Sequence, residues 1–186
     1  MNHARGPLLS IDVSERETTT EGVADERASF VGGRGLCTKL AHDRIPFDAD
    51  PFGPENRIYF STGPLQQSEM SFTGRMSCTG LSPLTDGLLS TNAGGYLSRN
   101  FAGTGYPVVE VVGESDELLA IHVSDDGVEF EAVPELRDAH VPHVSEVMND
   151  RHGLESENLV TIGPAGENLV RFACVMTYDS RAFGRG

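Results

Sequence analysis

Lysine is almost missing from this chain. Lys39 is the single one, and with arginine the basic residues total 14 against 28 acidic ones. The resulting formal charge of −14 excludes nucleic acid as a partner, since that contact needs a basic footprint. The acids (Asp12, Glu15, Glu21, Asp48, Glu114, Asp116, Asp125, Glu131, Glu146, Glu155) are scattered rather than run together. That distribution predicts a globally acidic, salt-adapted surface in preference to one acidic binding patch. Cysteine is also scarce. Cys37, Cys78 and Cys174 lie far apart with no C-x-x-C, which points to free thiols rather than a disulfide framework. They cannot ligate an iron–sulfur cluster, which takes about four cysteines. No apolar run approaches the roughly 20 residues of a bilayer span, and the opening M-N-H-A-R-G-P-L-L-S lacks a signal-peptide apolar segment. A soluble, cytoplasmic protein with no membrane partner is expected.

What is present fits one domain. The 186 residues are 38% apolar, enough for a single core. Leu8 to Val13 reads as a strand, Ser14 to Glu26 as a polar connection, and Gly35 to Asp43 as a short helix ending before Ile45-Pro46. Arg57 to Thr62 reads as a buried strand, and Arg75 to Thr79 as another. Pro107 to Gly113 and Leu118 to Ser124 are β-branched and apolar, and Asp125-Asp126-Gly127 signals a hairpin into the alternating V-E-F-E-A-V. Val144 to Arg151 predicts a helix; Leu159 to Gly163 and Leu169 to Met176 predict strands. The fold class is therefore α+β: a strand-rich sheet or sandwich core with short helices.

The chain is organised around Gly74 to Gly95, G-R-M-S-C-T-G-L-S-P-L-T-D-G-L-L-S-T-N-A-G-G. Ser82-Pro83 and Asp86-Gly87 are turn residues. Asn92 suits a helix N-cap before A-G-G-Y-L-S-R-N-F-A-G. Gly94 and Gly95 would each cost such a helix roughly 1 kcal/mol relative to Ala. Two glycines in a first turn predict close approach of a large group, and free N–H groups favour an anion there. Arg75 is either an ordinary exposed arginine or a planar donor set for a phosphate or heterocycle. At the other end, Arg181, Ala182 and Gly184 read either as a glycine-rich terminus or as part of a site.

These residues resemble a known family. The run from Gly74 to Tyr96 looks like the N-terminal domain of the tungsten-containing aldehyde ferredoxin oxidoreductases. So do V-G-G-R-G-L (31–36), P-E-N-R (54–57), T-G-P-L (62–65), I-G-P-A-G-E-N-L-V (162–170) and R-A-F-G-R-G (181–186), in collinear order. The resemblance implies an N-terminal domain over residues 1–186, cut off at its C-terminal end. It implies that Arg75, Asn92, Gly94, Arg181, Ala182 and Gly184 contact a tungsten (or molybdenum) bis-pterin. Backbone oxygens of Asn92 and Ala182 would hold a Mg²⁺ that bridges pterin phosphates, in keeping with the preference of Mg²⁺ for oxygen ligands. The complete enzyme would oxidise aldehydes to carboxylic acids and pass electrons through a [4Fe–4S] cluster to ferredoxin. That cluster belongs to a C-terminal portion or subunit that this chain does not contain, so the chain alone is expected to be inactive. A non-catalytic remnant or interaction module of the same fold is the competing reading.

Other motifs carry less. Gly32-Gly33-Arg34-Gly35 is a possible anion nest. Gly103-Thr104-Gly105 lacks the last glycine of a dinucleotide fingerprint. His140 and His143 read as loop histidines, because Pro142 between them disfavours a helix, and no Ser–His–acid set is apparent.

Overall fold

The computed structural model describes residues 3–154, 158–177 and 181–184. Its frame is a six-stranded sheet in the order β2-β1-β6-β3-β4-β5. The strands are β1 (Leu8–Asp12), β2 (Glu17–Glu21), β3 (Arg57–Thr62), β4 (Arg75–Ser82), β5 (Gly87–Gly94) and β6 (Val108–Val112). Only β1 and β6 are parallel neighbours, with Leu8 opposite Val108; the other pairs are antiparallel.

Both faces of the sheet are covered, which explains why its central strands read as nearly continuous apolar runs. On one face lies α2 (Gly33–Arg44), preceded by the short α1 (Ala24–Phe30). Leu36, Cys37, Leu40 and Ala41 of α2 pack on Leu8, Tyr59 and Val108. The other face carries α3 (Leu97–Gly103) and two small sheets. One is the hairpin β7 (Leu119–Val123) and β8 (Val128–Ala132), whose Ile121 and Phe130 pack on Leu9, Ile11 and Val109. The second contains β9 (Val160–Thr161), β10 (Val175–Thr177) and β11 (Arg181–Phe183), in the order β11-β10-β9. Its Phe183 is buried with Met76, Cys78, Ala93 and Leu97. The described residues also hold the helices α4 (Val141–His152) and the five-residue α5 (Gly163–Glu167). The architecture is α+β, strand-rich with short helices, as the sequence predicts.

A buried ionic knot fixes the middle of the sheet. Glu110 of β6 has a side chain only 1% exposed. It accepts hydrogen bonds from Ser10 Oγ at 2.6 Å and Tyr59 Oη at 2.5 Å. Arg57 lies 3.1 Å and Arg44 3.4 Å from it. Two cations and two hydroxyls are what a buried carboxylate needs to remain charged.

Several local expectations give way to tertiary context. Ser14 to Glu26 is not a plain connection, because its three threonines form the exposed edge strand β2. Leu169 to Met176 is not one strand: Leu169 has φ +53° and only Val175–Thr177 pairs. The strand expected over Leu159 to Gly163 is cut to Val160–Thr161, because Gly163 already opens the short helix α5. Pro142 does not exclude a helix around His143, since it sits in the first turn of α4, where its missing N–H has no partner to lose.

Candidate functional site

The hairpin β4–β5 builds the site. Its turn forms because Pro83 presets φ, Asp86 adopts φ +54°, and the Asp86 N–H donates to the Ser82 carbonyl at 2.8 Å. The eight paired positions then set the register that matters at the far end, Ser77 opposite Asn92 and Arg75 opposite Gly94. Cross-strand partners share a face, so all four lie on the side of the sheet that α2 covers. The Ser77 hydroxyl donates to Asn92 Oδ1 at 2.7 Å and fixes that amide.

Asn92 is therefore not a helix cap. It belongs to β5, and helix α3 begins at Leu97, after Gly95 has turned the chain at φ +123°. Pairing with β4 outweighs the local capping preference. The glycine-rich helix start lies elsewhere, at Gly32 and Gly33 before the body of α2. Gly33 has φ +55°, and a Cβ on it would lie 3.8 Å from Ser77 Oγ. The first turn of α2, with its unpaired N–H groups, thus abuts the hairpin. Ser77 joins the site as a residue the sequence pattern did not single out, and Gly33 as one of the possible anion nest, whose neighbour in the fold was not visible.

The last strand closes the arrangement. Arg181 reaches across the end of β5: a Cβ on Gly94 would stand 3.5 Å from Arg181 Nη1, and one on Gly95 3.4 Å from Arg181 Cδ. Gly184, at φ +38°, passes so near β5 that a Cβ there would fall 2.2 Å from Thr91 Oγ1. No side chain fits that approach. Between them, Phe183 is 4% exposed and meets Phe60 edge-on at 5.7 Å, while the Cys174 thiol donates to the Gly184 carbonyl at 2.7 Å. Far from being a loose terminus, R-A-F-G is strapped to the hairpin. Arg185 and Gly186 lie outside the described residues.

The structure thus brings Arg75, Asn92 and Gly94 together with Arg181, Ala182 and Gly184, from opposite ends of the chain. Arg75, Arg181 and Ala182 are exposed. Among the described residues neither Arg75 nor Arg181 has a carboxylate partner. In a chain of charge −14, two unpaired guanidinium groups beside a helix N-terminus make a local positive edge. That edge suits an anionic, planar ligand.

The other candidates fall away from this edge. Burial pushes the Cys37 and Cys78 thiols up to about 12, so both remain protonated and inert at neutral pH. His140 immediately precedes α4 without a side-chain capping bond, and His143 lies in the first turn, with Glu146 4.0 Å away as its neighbour.

Comparison with known proteins spans nearly the whole chain. The sequence model of the family described as "Aldehyde ferredoxin oxidoreductase, N-terminal domain" matches residues 8–186. A tungsten-containing aldehyde ferredoxin oxidoreductase of Thermococcus kodakarensis is 33% identical over 97% of this chain, and one of Pyrococcus horikoshii is 32% identical over 97%. The chain spans about 30% of the length of each of these curated relatives. A solved structure, the active site complex BamBC of benzoyl coenzyme A reductase with 1,5-dienoyl-CoA, superposes with TM-score 0.91 at 24% identity. It covers 100% of this chain and 29% of that one, a likeness of fold. No helix among the described residues is long and apolar enough to cross a membrane.

Proposed function

This chain belongs to the aldehyde ferredoxin oxidoreductase family, as its N-terminal domain, and from that premise we propose that the hairpin edge is one wall of a tungsten–pterin site. The observation that carries the reading is the apposition of Gly94 and Arg181. A side chain at Gly94 would fill the space into which that guanidinium reaches, and glycine keeps it open. The residues present fit the group. Arg75 and Arg181 offer planar donors to phosphate or pterin. Asn92 and Ala182, on the packed segments β5 and β11, would turn backbone oxygens toward a Mg²⁺ shared with the phosphates.

When bound, the tungsten–pterin group would supply two-electron redox chemistry, which the protein positions and tunes. The chain's own contribution is electrostatic and steric. Its arginines neutralise phosphate, and the Ser77 hydrogen bond holds the Asn92 side chain to one side. Gly184 lets backbone approach where a Cβ would clash with Thr91, Gly95 takes a φ of +123° that favours glycine, and Gly94 leaves the space beside Arg181 open. Phe183 locks the β11 half of the wall to the β4–β5 half. Molybdenum is the alternative metal.

In the complete protein the reaction we assign is oxidation of an aldehyde to its carboxylic acid, with electrons leaving through a [4Fe–4S] cluster to ferredoxin. The cluster and its cysteines would come from the remaining portion, either fused or as a separate subunit. The test is metal and pterin analysis of natively purified protein, with aldehyde-dependent dye reduction by this chain alone and by this chain with the cluster-bearing portion. We expect pterin and tungsten in the assembled protein and turnover only there. Robust turnover by the chain alone would overturn the division of labour. An assembled protein with no pterin would favour a non-catalytic module of the same fold.

A further inference from the structure

Away from the hairpin edge, two imidazoles and a carboxylate from three elements converge. His122 lies on β7, Glu131 on β8, and His152 is the last residue of α4. Nε2 of His122 is 3.2 Å and Nε2 of His152 is 2.8 Å from the same atom, Glu131 Oε2. One donor atom from each of the three residues lies within 4.8 Å of the other two. The rings stand 4.0 Å apart between centroids. We propose that His122, Glu131 and His152 form a zinc site that ties the end of α4 to the β7–β8 hairpin.

The donor chemistry selects the metal. Two imidazole nitrogens with one carboxylate oxygen suit a borderline-soft ion such as Zn²⁺, whereas Mg²⁺ and Ca²⁺ take oxygen sets. Metal–ligand bonds of about 2.0–2.2 Å in a tetrahedron put neighbouring donor atoms roughly 3.3–3.5 Å apart. The observed 3.2 and 2.8 Å need only small side-chain rotations to reach that spacing.

The backbone holds the trio in place beforehand. Glu131 pairs with Ala120, two residues from His122, so the hairpin places both side chains on one face. Arg151 then occupies the other carboxylate oxygen: its Nη1 donates to Glu131 Oε1 at 2.6 Å and its Nη2 to Glu135 Oε1 at 2.6 Å. This leaves Oε2 for the ion and orients it, as outer-shell partners of metal ligands commonly do. The three side chains are 23–29% exposed, so water can complete a fourth position. The site is independent of the pterin reading.

The alternative is a trio held only by hydrogen bonds, with both imidazoles donating to one oxygen, and the experiment separates the two. Full-length protein is desalted and titrated with zinc chloride by calorimetry. Zinc K-edge absorption is recorded on the loaded sample, where other metals do not contribute. We expect one high-affinity zinc per chain with two imidazole scatterers and no sulfur. His122→Ala, Glu131→Gln and His152→Ala should each weaken binding by at least tenfold, with unchanged far-ultraviolet circular dichroism. No saturable zinc binding would overturn the proposal, as would sulfur scattering or equal affinity in all three variants. Should a variant fail to fold, the absorption spectrum of the wild type still decides.

Discussion

Arg181 Nη1 stands 3.5 Å from the point where Gly94 would carry a Cβ, so the last strand and the central hairpin share one surface. A side chain at Gly94 would meet that guanidinium and obstruct whatever lies between them. Gly94→Val in the complete protein should therefore abolish pterin retention. Arg75→Ala and Arg181→Ala should weaken it about tenfold or more, since a charge-assisted hydrogen bond contributes about 1.5–3 kcal/mol. Pterin content per chain, measured after gel filtration, checks both. Wild-type content in all three variants would remove the hairpin edge from the site.

Phe183 holds the two halves of that surface together. It is buried among Met76, Cys78, Ala93 and Leu97, and it is the one large apolar anchor in the described part of β11. Phe183→Ala should cost about 3–4 kcal/mol through lost contacts and a cavity. A urea titration would show the midpoint falling with the slope preserved. An unchanged midpoint would mean that β11 adds nothing to the fold.

How much of this was legible depends on where the determining contacts lie. β3 and the β7–β8 hairpin were readable because β-branched alternation and an Asp-Gly turn are local signals. Asn92 was misread because its local signal, a capping residue before glycines, competes with an eight-residue pairing to β4 that only the fold reveals. β2 escaped because a strand exposed along its whole length has no buried face to impose a pattern. The approach of the Arg181 side chain to Gly94 has no local signal at all. Family resemblance put both residues in one site; residue pattern could not. The His122–Glu131–His152 cluster was invisible for the same reason, since its members come from three elements with no ligand spacing.

The charge excess predicts a salt response. With 28 acidic residues against 14 basic ones, self-repulsion opposes the compact state at low ionic strength. Screening shortens to about 3 Å at 1 M salt, so the melting temperature should rise by several degrees between dilute buffer and molar potassium chloride. Equal or lower melting in molar salt would count against a salt-adapted surface.

Glu110 predicts how stability varies with pH. Burial alone would raise its carboxyl, but hydrogen bonds from Ser10 and Tyr59, with the Arg57 and Arg44 charges, outweigh burial and hold it below the ordinary 4.5. A depressed carboxyl stabilises the fold fully above the unfolded value, and the contribution is lost as pH falls through the folded one. Tyr59 runs the other way. Burial, then its hydrogen bond to Glu110 and that group's charge, raise the phenol above 10, so its contribution holds below about 10 and is lost in stronger alkali. The knot thus contributes its full stability between about 4.5 and 10. Glu110→Gln removes the charge while keeping much of the shape, leaving Arg57 without its carboxylate and Arg44 with Glu21 alone. At pH 7 it should cost about 3 kcal/mol, the scale of a broken buried pair. Other carboxylates also titrate in acid, so the informative quantity is the gap between wild type and variant. That gap should be constant from pH 5 to 9 and shrink below about 4.5 as the wild-type carboxyl takes up its proton. Denaturant titrations at a series of pH values measure it directly. A gap that stays constant down to pH 3 would mean the Glu110 charge contributes nothing that a neutral amide does not.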